Sequence, residues 1–229
     1  MTILSIIQEV CKVTGLDVPT DVLASTEREH IELVSLANEM AERIAQSYDW
    51  QVLKNVATVN GDGLTESFDL PSDYRRMLKK SQLWSSSSQV ALTPVPDADA
   101  WLGMGFPSLG MMSRAWTLYG GQLHIKPALA SSATAQYFYI SKHIVTAATD
   151  ANKAEFTADD DVFRLSERLL KLGMVWQWRA NKGLAYQEDM DTYEHLKEQL
   201  VCDDKGSRSI RLGRALDVDT TEYQQGIEP

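Results

Sequence analysis

The fold is decided by residues 26–63, TEREHIELVSLANEMAERIAQSYDWQVLKNVATVNGDG, where a helical pattern gives way to a strand pattern. Thr26 followed by Glu29 is a capping box, which predicts the start of a helix. The helix then carries an apolar stripe at helical spacing, formed by Ile31, Val34, Ala37, Ala41, Ile44 and Tyr48. Beyond Trp50 this periodicity fades and a valine-rich segment indicates strands. The change of pattern predicts an α+β protein.

Helices are predicted on both sides of the strand-rich part. Before residue 26, Ile3, Ile6, Ile7 and Val10 have helical spacing, and the turn at residues 15–19 ends that helix. After residue 150, residues 158–161, Ala-Asp-Asp-Asp, are predicted to open a helix, because the helix dipole favours acids at its N-terminus. The inner stripe of that helix is formed by Val162, Leu165, Leu169, Leu172 and either Val175 or Trp176.

A second helix is expected to fold back on this one. Residues 181–183, Asn-Lys-Gly, stop the first helix. The next apolar stripe consists of Tyr186, Met190, Tyr193, Leu196 and Leu200. Two helices joined by so short a connection are predicted to pack as an antiparallel hairpin.

The middle of the chain reads as a small antiparallel sheet or barrel. The turn at residues 60–63, Asn-Gly-Asp-Gly, predicts a hairpin between the valine-rich strand and the strand of Phe68 and Leu70. The serines at residues 85–88 predict a loop between two further strands. Residues 116–119 and 123–125, on either side of Gly120-Gly121, predict a second hairpin, and residues 135–140 a buried strand.

These patterns predict three parts. Residues 1–50 and 153–202 form a helical bundle, and residues 51–152 form an inserted small antiparallel β domain. Residues 203–229 form an extended C-terminal tail, called the C-terminal segment below. Hydrophobic residues make up 44% of the chain, which is enough to bury a core.

Charge argues against a free-standing nucleic-acid-binding protein. The formal net charge is −10, whereas such proteins usually have a basic face and a high isoelectric point. The first residues lack the basic lead of a signal peptide, and no apolar run reaches the length of a membrane span. Synthesis in a cytoplasm without a membrane partner is therefore expected.

The sequence lacks the motifs that carry common chemistry. Its four histidines, in separate predicted elements, are His30, His124, His143 and His195. The nucleophile elbow, the phosphate-binding loop and zinc-ligand spacings are absent from the sequence. Two cysteines, Cys11 and Cys202, are expected to be reduced thiols, and Asp97 and Asp99 are expected to start a helix. No catalytic residue, metal or cofactor is predicted.

A glycine-rich, methionine-rich loop is the first candidate contact surface. Residues 103–112 are too rich in glycine for regular structure, and their apolar side chains are Met104, Phe106, Leu109, Met111 and Met112. Flexible methionine-rich surface suits adaptable protein contacts, so these residues are predicted to contact another subunit. The alternative is a loop folded back on its own core.

The C-terminal segment is the second candidate. Its first part is basic with apolar residues between the cations, and the predicted docking residues are Lys205, Arg208, Ile210, Arg211, Leu212, Arg214 and Leu216. Such a composition suits a segment that lies along a partner through apolar anchors and charge pairing. An acidic part follows, with Asp217, Asp219, Glu222 and Glu228. A disordered terminus and contact with the DNA backbone are the alternatives.

Three stretches, taken in order, carry a resemblance to a known family. They are residues 45–50, AQSYDW, residues 68–76, FDLPSDYRR, and residues 178–189, WRANKGLAYQED, with Tyr193 one helical turn further on. In this order they resemble the head-to-tail adaptor (connector) proteins of tailed bacteriophages. The order of the predicted parts is also similar to that family: N-terminal helices, a β insertion, a helical hairpin and a C-terminal extension.

The resemblance implies a structural, non-enzymatic role in the neck of a virion. Members of the family form a ring, usually of twelve copies, beneath the portal protein, where they prolong the DNA channel and offer a docking surface to the tail. DNA passes through such a ring without sequence-specific binding. The C-terminal extension commonly reaches the portal, a role that here falls on residues 205–216. The alternatives are another neck, tail-completion or tail-tube protein of a phage, or a hydrolytic enzyme using scattered carboxylates.

Overall fold

The computed structural model describes residues 1–78, 81–86, 91–104 and 114–205. The helices of this part are α1 (Ile3–Thr14), α2 (Arg28–Ser47), α3 (Ala98–Gly103), α4 (Glu167–Asn181) and α5 (Gln187–Lys205), with a 3-10 turn at Gln51–Leu53. The strands are β1 (Lys54–Asn60), β2 (Ser67–Asp69), β3 (Tyr74–Met77), β4 (Leu83–Ser85), β5 (Ala91–Pro94), β6 (Ala115–Tyr119), β7 (Gln122–Lys126), β8 (Thr134–Ser141), β9 (Val145–Thr146), β10 (Asn152–Lys153) and β11 (Val162–Phe163). The predicted α+β class is confirmed.

The first helix has the predicted limits and the predicted inner face. Thr2 caps α1 through its side chain, and Gly15 ends it in the left-handed conformation at φ 77°. The four predicted apolar residues, Ile3, Ile6, Ile7 and Val10, are buried.

The second helix begins later than predicted, and its buried face shares Ala37, Ala41 and Ile44 with the predicted stripe but not Ile31. Glu27 is its N-cap and makes no side-chain capping bond, so the predicted capping box of Thr26 and Glu29 is wrong. Ile31 is 55% exposed. The buried face consists of His30, Leu33, Leu36, Ala37, Met40, Ala41, Ile44 and Ala45. Turning this face inward buries two leucines and a methionine, more apolar volume than the predicted stripe offers.

Residues 158–161, with their three aspartates, do not open a helix. Helix α4 begins at Glu167, where the Ser166 side chain caps it, and Val162 lies in β11. The carboxylate of Asp159 accepts hydrogen bonds from the backbone N–H groups of Val22 and Leu23. Asp161 is fully buried and accepts bonds from three donors described below. The prediction was wrong because these carboxylates fix a loop through backbone donors, an alternative that helix patterns do not register.

The predicted helical hairpin is present. Helix α4 ends at Asn181, Gly183 adopts φ 70°, and α5 packs back on α4. Tyr193 of α5 is buried, and its ring lies 6.1 Å from that of Trp176.

The main sheet is larger and more mixed than the predicted antiparallel domain. Its eight strands run in the order β1-β8-β4-β5-β6-β7-β2, with β3 also paired to β8. The pair β5–β6 is parallel. The predicted hairpin around Gly120-Gly121 is confirmed as β6–β7, and β4 and β5 pair on either side of the serine loop. The small second sheet has the order β10-β9-β11.

The hairpin predicted at residues 60–63 does not form. Strand β1 pairs with β8 along seven residues, from Lys54 opposite Ile140 to Asn60 opposite Thr134, and β2 pairs with β7. The residues of the predicted turn make other hydrogen bonds. The Gly61 N–H donates to the Ala133 carbonyl. The Asp62 carboxylate accepts bonds from the side chain and backbone of Thr65 and from the backbone of Leu64, and these bonds lower the pKa of Asp62 to about 2.

Gly61 passes too close to the chain before β8 to carry a side chain. A Cβ at this position would lie 2.4 Å from the Ala130 carbonyl oxygen and 2.5 Å from Leu129 Cβ. Gly61→Ala is therefore expected to cost about 2 kcal/mol of unfolding free energy, because backbone rather than a flexible side chain must move. Urea denaturation measures the change. Gly103→Ala is the control, since its Cβ would meet nothing within 4 Å, and equal stability of the two variants would contradict the prediction.

Two large hydrophobic clusters lie in the described part, with a small third one formed by Val95, Trp101 and Ala115. One joins the helices with the second sheet and with Ile140 at the end of β8. The other fills the main sheet with Leu83, Leu92, Leu123, Ile125, Tyr137 and their neighbours. The division into domains at residues 50 and 152 stays a prediction.

Candidate partner-binding surfaces

The polar groups that could suggest chemistry are held in structural contacts. His30 Nδ1 lies 2.8 Å from Ser25 Oγ, and His124 lies 2.9 Å from Ser67 Oγ with its ring stacked on Tyr119 at 3.7 Å. Cys11 and Cys202 are free thiols, and burial raises the pKa of Cys11. Within the described ranges, no three histidine, cysteine or acidic residues are grouped to hold a metal. In the same ranges, no helix has the length and apolar character needed to cross a membrane.

The start of the C-terminal segment is fixed beside the junction of helix and sheet. Asp204, near the end of α5, accepts a hydrogen bond of 3.0 Å from the backbone N–H of Gln51, three residues before β1. Burial and the nearby carboxylate of Asp204 raise the pKa of Tyr48. Lys205 is exposed at the end of α5. The structure thus gives the place where the predicted docking residues begin.

The other predicted docking residues lie outside the described part of the chain. They are Arg208, Ile210, Arg211, Leu212, Arg214 and Leu216. Their role stays a prediction.

The methionine-rich loop leaves the fold from a short helix. Asp97 caps α3 by accepting a bond from the Asp99 N–H, as the sequence predicts. Trp101 of α3 is buried, with the Lys126 ammonium 4.8 Å from its ring centroid. Leu102 and Met104 are exposed at the end of the helix. Phe106, Leu109, Met111 and Met112 lie outside the described residues, so the predicted contact role of the loop stays untested.

An apolar face on the outside of the main sheet was not predicted. Val56 and Phe138 are directly opposite each other on β1 and β8, and each is 53% exposed. Trp84 of β4, 54% exposed, pairs with Gln136, two residues from Phe138 and therefore on the same face. Thr58 completes it, accepting a bond from Gln136. These five residues, called the outer sheet face below, carry no formal charge.

The helices cover one end of this same side of the sheet. Ile140 lies two residues beyond Phe138 on β8, so it points to the same side, yet it is fully buried in the helical cluster. The outer sheet face is therefore continuous with a packed core at one end and exposed at the other. An exposed patch with two aromatic residues and no charge has the composition of a protein-contact surface.

A groove between α2 and α4 offers a different, polar surface. It encloses about 700 Å³. Lys182 Nζ lies 2.8 Å from Glu32 and 4.4 Å from the centroid of the Trp178 ring, and Arg28 Nε lies 2.9 Å from Glu32. Because both of these cations pair with Glu32, the groove presents no strong positive field to a phosphate backbone.

Alternation in β8 is the signal that would have predicted the outer sheet face. The apolar run at residues 135–140 predicts one buried strand. Tyr137 and Tyr139 are buried, whereas Gln136 and Phe138 are exposed. A run of aromatic residues resembles a strand buried on both sides, so apolar character alone concealed the two-residue period.

Over residues 1–215 the sequence matches a protein family described as SU10 adaptor protein. No curated protein matches it significantly.

Proposed function

The chain belongs to the SU10 adaptor protein family, and we propose that its copies form a ring beneath the portal that extends the DNA channel and presents a docking surface to the phage tail. Family membership implies a structural role in the phage virion, between head and tail. The match over residues 1–215 is the observation that carries the proposal, because it includes the helices, the main sheet and most of the basic part of the C-terminal segment.

The C-terminal segment is proposed to dock on the portal. Lys205 is the last residue of this segment that the structure describes. Residues 206–216 supply the remaining cations and apolar anchors. Ordering such a segment on a partner trades conformational entropy for contacts. The Asp204–Gln51 bond supports this role, because it gives the segment a fixed starting point on the folded body.

The residues after α3 are proposed as a second contact, to a neighbouring copy or to a tail component. Leu102 and Met104 support it, since both are exposed where the loop begins.

The net charge of the chain is compatible with DNA passing through a ring of copies. With a net charge of −10 on each chain, the ring as a whole repels phosphate instead of gripping it.

Reconstitution with purified portal rings tests the proposal. We expect the chain to bind the portal as a closed ring, of about twelve copies, visible by electron microscopy as added density on the channel axis. The control is the same chain without portal. Cross-linking in virions can contradict the proposal. A chain that cross-links to tail proteins and never to the portal would be a tail-completion or tail-tube component.

A further inference from the structure

We propose that, in the unassembled chain, residues 210–218 of the C-terminal segment lie across the outer sheet face and cover Val56, Phe138 and Trp84. This goes beyond the proposed function, because it concerns the free chain and its own segment. Three independent observations lead to it: the exposed apolar face, the place where α5 ends, and the pattern of the segment.

The outer sheet face is an exposed apolar surface that continues a buried core. Its three large apolar residues are each more than half exposed, although Ile140 on the same side of β8 is buried under helices. Two aromatic side chains and a valine exposed to this extent make a patch on the order of 300 Å². Leaving such a patch in water is unfavourable, because apolar surface gains free energy when it is removed from water. A segment that covers it extends the packing which the helices begin.

The C-terminal segment starts at the covered end of this face. The Asp204 carboxylate is 3.0 Å from Gln51 N, and Lys54 at the start of β1 is directly opposite Ile140. Val56 lies five residues beyond Gln51, and Ile210 lies five residues beyond Lys205. Five residues of extended chain span at most about 17 Å, so Ile210 can reach the level of Val56 without any movement of α5.

The segment has the pattern of a chain with one mainly apolar side, interrupted once by Arg214. Ile210, Leu212, Leu216 and Val218 are separated by even numbers of residues, with Arg214 between them, so in an extended conformation they share a side. The other side carries Arg211, Gly213, Ala215 and Asp217. Such a chain buries its apolar side only against apolar surface. The outer sheet face suits it, because it carries no charge that would be left unpaired beneath Ile210 or Leu212.

The proposed position has a consequence for assembly. Residues 210–216 also belong to the portion proposed to dock on the portal, so the covered and the docked positions exclude each other. The outer sheet face would therefore be covered in free chains and exposed only after the segment has docked on a portal.

Hydroxyl-radical footprinting of the isolated chain tests the proposal without a portal. We expect Trp84 and Phe138 to be oxidised at least roughly threefold more slowly in the full chain than in a chain ending at Lys205, because a covered aromatic ring loses its contact with water. Leu64, which is 87% exposed in a loop, is the internal reference and should react equally in both.

Two double variants of the full chain separate covering from indirect effects. Ile210→Asp with Leu212→Asp should raise the oxidation of Trp84 and Phe138 to the level of the shortened chain. The matched control, Ser209→Asp with Ala215→Asp, adds the same charge to the other side of the segment and should leave oxidation low. Equal oxidation in full and shortened chains would overturn the proposal. Protection that appears only at high protein concentration would also overturn it, since the cover would then come from a second copy.

Discussion

A chain that ends at Lys205 is expected to fold normally and to bind portal rings roughly 100-fold more weakly than the full chain. Loss of the apolar anchors and cations of residues 208–216 removes contacts that typically contribute several kcal/mol, and each 1.4 kcal/mol changes the affinity tenfold. The fold should persist because the shortened chain keeps all of α5 and the bond from Gln51 N–H to Asp204. Surface-immobilised portal rings and a concentration series of each chain measure the affinity, with thermal melts to compare stability.

A chain that ends at Leu216 is the matched control. It keeps the basic part and loses the acidic part, so it should bind the portal nearly as well as the full chain. If the chain ending at Lys205 binds as tightly as the full one, the docking role of residues 205–216 is wrong. Because the phosphate backbone is absent from this assay, weakened binding would also separate portal docking from contact with DNA.

Asp161→Asn is expected to destabilise the fold by about 3 kcal/mol, the cost of breaking a buried, fully bonded charge. The Asp161 carboxylate is fully buried. It accepts bonds from Lys153 Nζ at 2.7 Å, from Thr157 N–H at 2.7 Å and from Ala158 N–H at 2.9 Å. An asparagine amide offers one acceptor oxygen and places an NH2 group against donors, so at least one donor loses its partner. Urea unfolding at neutral pH measures the difference, with the exposed Asp160→Asn as control.

The same carboxylate gives the effect a pH dependence of known sign. Burial alone would raise the pKa of Asp161, but Lys153 and the backbone N–H groups of Thr157 and Ala158 outweigh it and hold the pKa below its ordinary value. A lowered pKa in the folded state means that the stabilisation is complete above the pKa of this carboxyl in the unfolded chain, about 4. The stabilisation is lost as the pH falls through the pKa of the folded state. The stability gap to Asp161→Asn should therefore narrow in strong acid, and a gap that widens there would contradict this assignment.

Local signals in the sequence predicted those elements whose partners are near in the chain. Helix α1 and the β6–β7 hairpin follow from spacing and from the two glycines at 120 and 121, and both are as predicted. The β1–β8 pair joins residues about 80 positions apart, and no local pattern states such a pairing. The Asn60–Gly61 turn therefore suggested the wrong partner for β1.

The candidate surfaces also differ in whether local sequence alone could predict them. The exposed end of α3 and the start of the C-terminal segment could be named from composition, because glycine, methionine and arginine mark unusual stretches. The outer sheet face could not, since Trp84 joins Val56 and Phe138 only once β4 and β1 have both paired with β8. Likewise Asp161 belongs to an acidic run in the sequence, and only the folded loop, which brings Lys153, Thr157 and Ala158 onto its carboxylate, makes it a buried anchor.

The bond between Asp204 and Gln51 also determines how mechanical force would enter the molecule. Without it, a pull on the last residues would pass from α5 into the helical cluster, chiefly into α4. With the bond in place, the pull divides at the end of α5, and one share passes through Gln51 to the start of β1. There it meets the seven-residue pairing with β8, whose first pair joins Lys54 to Ile140, a residue buried among the helices. Strain on an anchored C-terminus is thus distributed over helices and sheet together, instead of peeling away one helix.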